Sequence, residues 1–162
     1  MALYGYIKVP PHIPPDGPAS PEVQLRYLER HAARRGLALD HVFPEKESSF
    51  GKPLGERPEG RRLLSAIGPG DRAVACRAEY LFGAPGEIPL VLAHFRRRGA
   101  SLFLLDLGWE ITRGDMTSRL YAVVDEASRA RRARAARAPH PEKPAPLRLA
   151  LRLPEAPLLP AS

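Results

Sequence analysis

A single cysteine, Cys76, stands in the whole chain of 162 residues, so neither an internal disulfide nor a thiolate zinc cluster can form. That fits a reducing cytoplasm and argues against a structural metal. Long apolar runs are missing too: those around Leu102–Leu105 and Pro89–Ala93 fall far short of the roughly 20 residues that cross a bilayer. No segment is expected to span a membrane. The opening Met-Ala-Leu-Tyr-Gly-Tyr-Ile-Lys lacks the basic-then-apolar order of a secretion signal. No Gly-x-Gly-x-x-Gly loop follows the first predicted strand and no Walker-type Gly-Lys-Ser/Thr occurs, so neither a nucleotide nor another cofactor is expected. His12, His31, His41, His94 and His140 show no metal-binding spacing.

What is abundant is positive charge, and its location is informative. Residues 129–162 hold Arg129, Arg131, Arg132, Arg134, Arg137, Lys143, Arg148 and Arg152 against Glu142 and Glu155, which accounts for +6 of the net +7. The body is nearly neutral and the tail basic. A basic segment on a neutral domain suits a polyanion, usually nucleic acid, although solubility or an acidic protein surface would also explain it.

Prolines divide the chain. Six of the 19 lie between Pro10 and Pro21 and seven between Pro139 and Pro160, so those stretches are neither helix nor central strand. Between them the pattern alternates. Leu3–Val9 reads as a strand. Ser20 caps a helix that opens on Pro21 and Glu22, buries Val23, Leu25, Leu28 and Ala32, and stops at Gly36. Leu37–Phe43 is a second strand, Arg57–Ile67 a helix with Leu63, Leu64 and Ile67 inward, and Arg72–Arg77 a third strand with Cys76 as a small buried hydrophobe. Glu87–Arg98 is a further helix, and Ala100–Asp106 a fourth strand, with Trp109 packing over the sheet edge. Strands alternating with helices predict a doubly wound, mainly parallel α/β sheet over residues 1–113.

Residues 114–138 form one long helix, capped by Asp115 and ended by Pro139. Its first half carries Met116, Leu120, Val123 and Val124 at helical spacing, and its second half carries five arginines among alanines. Such a helix is longer than the domain needs and is expected to project, its apolar half burying against the sheet domain, a second copy, or both. A homodimer through this helix follows as an expectation. Residues 139–162 are a Pro-rich tail in which Leu147, Leu149, Leu151 and Leu153 alternate with arginine or alanine, a strand pattern able to add to a sheet edge of this chain, a second copy or a larger assembly.

The order of these segments resembles the catalytic domain of serine recombinases, the resolvase and invertase family. The resemblance is carried by Tyr4-Gly-Tyr-Ile-Lys-Val9; Val23-Gln24-Leu25 with Ala32 and Gly36; Glu45 with Ser48 and Gly51; Glu56-Arg57-Pro58, Leu63-Leu64 and Gly70-Asp71; and Gly99, the strand to Asp106, Gly114 and the long helix. It covers about residues 3–137. It implies a resolvase-like fold and a protein that handles DNA. Family members attack a phosphodiester with a serine in a Tyr-x-Arg-Val-Ser pattern while arginines neutralise the phosphate. Here the arginine position is Lys8 and the serine position Pro10. The family's Asp-Arg-Leu-x-Arg reads Glu79-Tyr80-Leu81-Phe82-Gly83, leaving Arg57 as the cation retained.

A catalytically inactive relative, a pseudoenzyme, is therefore the leading expectation. It would bind DNA with weak sequence preference through Arg129, Arg131, Arg132, Arg134 and Arg137, with Arg57 and Lys8, and serve a structural or regulatory role. The resemblance also implies a helix-turn-helix after the long helix, which a Pro-rich tail of about 24 residues does not make. A second reading is a protein-interaction scaffold docking through the Leu/Arg tail. A third keeps recombinase activity with Ser20 as a relocated nucleophile, against its simpler role as helix cap. Glu45 with Glu47, or Asp106 with Glu110, could pair for metal-assisted hydrolysis but read more simply as solvated loop charges.

Overall fold

The computed structural model describes residues 1–11, 17–112 and 117–137, with the side chains of Trp109 and Thr117 outside that description. Five strands form one sheet in the order β2-β1-β3-β4-β5. The parallel strands are β1 (Leu3–Val9), β2 (His41–Lys46), β3 (Arg72–Ala75) and β4 (Ser101–Leu104). The two-residue β5 (Trp109–Glu110) pairs antiparallel with β4 and closes that edge. The fold is thus doubly wound and mainly parallel, with a long C-terminal helix.

The side chains of β1 alternate between two cores. Leu3 and Ile7 pack with Leu28 and Ala32 of α1 (Pro21–Arg34), whereas Tyr6 joins the larger core of Leu63, Phe95, Leu102 and Leu104. That second face is covered by α2 (Pro58–Ala66), α4 (Ile88–Arg97) and the short α3 (Ala78–Leu81). Among the described residues the first face has α1 as its one helix, and Cys76, Phe103 and Leu105 are half-buried there. Gly5 lets α1 come close, since a Cβ would meet Leu28 Cδ1 at 3.0 Å. Ser20 is the N-cap of α1: its buried hydroxyl accepts from the Val23 amide at 3.2 Å.

Two elements depart from the expected pattern. The second strand lies at His41–Lys46, later than Leu37–Phe43, because Asp40 fixes where pairing starts. Its carboxylate accepts from Leu3 N at 2.7 Å and its own amide donates to the Leu3 carbonyl at 2.9 Å, so pairing begins at Tyr4 opposite His41. Pro44 is tolerated because β2 is an edge strand and need not donate on its outer side. Leu37 and Leu39 still pack on the α1 face, from a loop.

The second departure is α5 (Thr117–Arg137), which does not project freely. Leu120 and Val124 are buried in the larger core, Ser128 is buried, and Arg131 Nη2 donates to the Gly83 carbonyl just beyond α3. The apolar half of the helix is therefore packed against its own domain. Met116, Asp115, the Pro-rich tail and Leu147, Leu149, Leu151 and Leu153 lie outside the described residues, as do His12 and His140. Among the described residues, no helix is long and apolar enough to cross a membrane.

Candidate functional site

The carboxyl ends of parallel strands are where an open α/β sheet places its ligands, and here the ends of β1, β2 and β3 converge on a polar stack. At its base lies Arg57, fully buried at the start of α2. Its Nε donates to the Lys52 carbonyl at 2.8 Å, and Nη1 donates to the Tyr80 carbonyl at 2.5 Å and to Tyr6 Oη at 3.3 Å. The guanidinium carbon sits 4.4 Å from the centre of the Phe50 ring, and Nη2 has no hydrogen-bond partner among the described residues. Glu45 is equally buried: its Oε2 accepts from Tyr6 Oη at 3.2 Å and from the Gly60 amide at 2.8 Å. Gly60 is required for this approach, because a Cβ there would collide with the Leu54 carbonyl. Burial raises the Tyr6 phenol above its ordinary pKa, only partly offset by Arg57, so it stays a neutral donor.

Above this stack opens a cavity of about 300 Å³ lined by Lys8, Glu47, Phe50, Tyr80, Arg131 and Arg134. Lys8 Nζ pairs with Glu47 at 3.2 Å and lies 5.1 Å from the Phe50 ring centre and 5.8 Å from that of Tyr80. Gln24 clamps the end of β1 from α1, accepting from Lys8 N at 2.9 Å and donating to the carbonyls of Lys8 and Ala19 at 2.8 and 2.9 Å. Pro10, half-exposed, follows at once.

On the α1 side of the same strand ends, Cys76 lies just beyond β3, its thiol donating weakly to the Gln24 carbonyl at 3.6 Å. Burial, reinforced by the Asp106 carboxylate, pushes that thiol up to about 11, so it is not a thiolate nucleophile at neutral pH. Asp106 accepts from the Ala78 amide at 3.1 Å; burial raises its carboxyl above the ordinary value, against the pull of that amide and of Arg77. Among the described residues, no three metal-ligating side chains cluster.

No protein-family model matches this sequence, and no curated protein matches it either. Solved structures do. The N-terminal catalytic domain of TP901-1 integrase superposes with a TM-score of 0.61 at 18% identity, over 83% of this chain and 99% of that one. The chain has the fold of a serine recombinase catalytic domain. A resolvase-family site-specific recombinase from Streptococcus pneumoniae gives a TM-score of 0.57 at 16% identity, covering 85% of this chain and 94% of its own.

On this recombinase fold, the expected site residues separate into groups. Lys8, Arg131 and Arg134 come together at the cavity. Arg129, Arg132, Arg134 and Arg137 are exposed; Arg129 pairs with Asp125 at 2.9 Å, and Arg132 donates to Ser128 Oγ at 3.3 Å. Arg57 is not at the surface, because all of its length is packed under Phe50 and Tyr80. Leu120 and Val124, expected to bury against the sheet domain, a second copy, or both, are 1% and 0% exposed within their own domain, while Val123 stays half-buried. Glu45 is not a solvated loop charge but a buried acceptor, and Asp106 and Glu110 do not pair: Glu110 accepts from Thr112 Oγ1 at 2.7 Å. Cys76 is half-buried at a cavity rather than enclosed in mid-strand. The sequence reading missed the clamp of Gln24 and the Tyr6–Glu45–Arg57 stack. A Glu and an Arg flanking a Gly/Pro loop carry no periodic signal, and a glutamine among the apolar positions of α1 was the one available hint.

Proposed function

We propose that this chain binds duplex DNA through the basic half of α5 and performs no strand exchange of its own, acting as a structural or regulatory accessory. The observation that carries the reading is the four exposed arginines Arg129, Arg132, Arg134 and Arg137, spread around the outer half of a helix docked beside the carboxyl end of β1. The Arg129–Asp125 pair is an exposed i, i+4 contact of the kind worth at most a few tenths of a kcal/mol, so it does not hold the arginine against a polyanion. Docking also brings Arg131 and Arg134 beside Lys8, where a backbone phosphate would meet three cations against Glu47 and Glu79. The solved neighbours are an integrase and a site-specific recombinase, in keeping with a DNA partner.

Inactivity follows from chemistry at the strand end. Pro10 offers no hydroxyl to attack phosphorus, and Ser20 is buried as the cap of α1. Where the resemblance places arginines after the third strand stand Tyr80 and Gly83. Losing one oriented transition-state contact typically costs about 3 kcal/mol. The test pairs two assays. Substituting Arg129, Arg132, Arg134 and Arg137 together by glutamine is expected to weaken duplex binding sharply, and the unaltered chain is expected to form no covalent adduct with DNA. Undiminished binding by the variant, or an adduct that survives denaturation, would overturn the respective half of the reading.

A further inference from the structure

At the amino ends of the strands, on the face that α1 covers, lies a cavity of about 150 Å³. The sheet register builds its floor. Leu3, Arg72 and Ser101 stand abreast on β1, β3 and β4, and Leu3 packs against α1, so all three side chains leave the sheet on that face. Phe103, two residues on from Ser101, shares the face, and Glu110 of β5 is paired opposite it. The end of α1 closes the cavity from above. His31 stacks on the Phe103 ring at 4.4 Å between centroids, and the Arg35 guanidinium carbon lies 4.5 Å from the same ring centre. Both the face and the strand end are opposite to those beside which the α5 arginines lie.

The polar lining is cationic. Arg72 is half-buried and Arg35 exposed; apart from the Phe103 ring under Arg35, neither guanidinium has a hydrogen-bond or ion-pair partner among the described residues. The dipole of α1 favours basic residues at its end, but it does not explain Arg72, which reaches the same space from β3. Burial, and then the charges of Arg35, Arg34 and Arg72, lower the pKa of His31, so its imidazole is neutral at neutral pH and has one N–H to donate. Glu110, the acid in the lining, accepts from Thr112 Oγ1 at 2.7 Å. Two guanidiniums against one carboxylate leave the cavity with an excess of positive charge.

We propose that this cavity binds a phosphate group, Arg72 and Arg35 gripping its oxygens while His31 and the Ser101 hydroxyl donate to those that remain. Donors arriving from α1, β3 and β4 surround a tetrahedral oxyanion better than a planar carboxylate, and the forks of arginine match phosphate oxygens two at a time. The volume is well below the roughly 300 Å³ at which pockets for drug-sized molecules begin, so the phosphate itself is enclosed and anything esterified to it extends into solvent. The same chemistry arrives as inorganic phosphate or as a phosphate monoester. The site is separate from the α5 arginines, so it stands or falls independently of DNA binding by that helix.

Inorganic phosphate and methyl phosphate are each titrated into the full chain at neutral pH and constant ionic strength, with chloride making up the difference. Binding is read from the ring signals of His31 in NMR spectra and from calorimetry. A saturable shift with a Kd of about 1 mM or below is expected. Tighter binding of methyl phosphate identifies a phosphate monoester as the ligand, and equal or tighter binding of inorganic phosphate identifies the free ion. Arg72→Gln should weaken binding about tenfold or more, the effect of one charge-assisted hydrogen bond. Arg61→Gln, which removes an exposed charge from α2 on the other face of the sheet, should leave it unchanged. Should Arg72→Gln fail to fold, the exposed Arg35→Gln carries the same expectation. No saturable response to either anion, or an equal loss in Arg61→Gln, overturns the proposal.

Discussion

Arg57 shows how a residue that resembles a catalytic cation can serve the fold. Its fork ties three segments together, the Lys52 loop, the Tyr80 carbonyl of α3 and Tyr6 of β1, while Phe50 covers its face. Arg57→Met would keep much of the volume but take the donor from the buried Tyr80 carbonyl and from the partly buried Lys52 carbonyl, and unpaired buried groups cost roughly 1–3 kcal/mol each. A loss of about 3 kcal/mol in urea unfolding is expected; a loss below about 1 kcal/mol would show that the stack is not structural. Asp106 gives a prediction of the opposite kind. Burial raises its folded pKa, so between the unfolded and folded values the folded state holds more protons and stability falls as pH rises through that window. Asp106→Asn keeps the acceptor for Ala78 and should gain on the wild type as pH climbs above the ordinary carboxylate range; a constant difference across pH would contradict this. Arg57 was legible as a cation worth noticing, but its burial was not. Which side of a Gly/Pro-rich loop faces inward depends on Glu45, Phe50 and Gly60 meeting in space, and no period in the sequence records that.

Among the elements, β1 and the helices that open on Pro21 and Pro58 were readable because proline, N-cap and apolar spacing act locally. The start of β2 was not, since Asp40 sets it through a contact with Leu3 across 37 positions of sequence. The long helix was readable in type and extent, whereas its docking depends on α3, a single turn too short to leave a periodic signal. If Leu120 and Val124 anchor α5 to its own domain, Leu120→Ala should cost about 2–4 kcal/mol of unfolding free energy in a dilute sample. Concentration-dependent stability, with little effect of that substitution at low concentration, would instead place these side chains between two copies. The anchoring also separates the helix into two jobs. Its first half belongs to the core, and its second half, held by Arg131 at Gly83, presents the remaining arginines outward.

At the scale of the whole molecule, a nearly neutral α/β body carries a strongly basic C-terminal part. The recombinase fold was readable from the order of short motifs, and the structure adds where the described part of that charge lies: on α5, with Arg131 and Arg134 beside the carboxyl end of β1. If this charge binds duplex DNA as proposed, it does so by releasing counterions, and the affinity falls steeply with salt. The most direct measurement is therefore fluorescence-anisotropy binding of a mixed-sequence duplex at several salt concentrations, by the unaltered chain and by the chain with Arg129, Arg132, Arg134 and Arg137 changed to glutamine. Those four are exposed, so the fold should survive their loss. A steep negative dependence of log affinity on log salt is predicted for the unaltered chain, flattening by about 0.9 for each arginine contact removed. Equal slopes for the two proteins, or no binding by either at low salt, would contradict the assignment of α5 as the DNA-binding element.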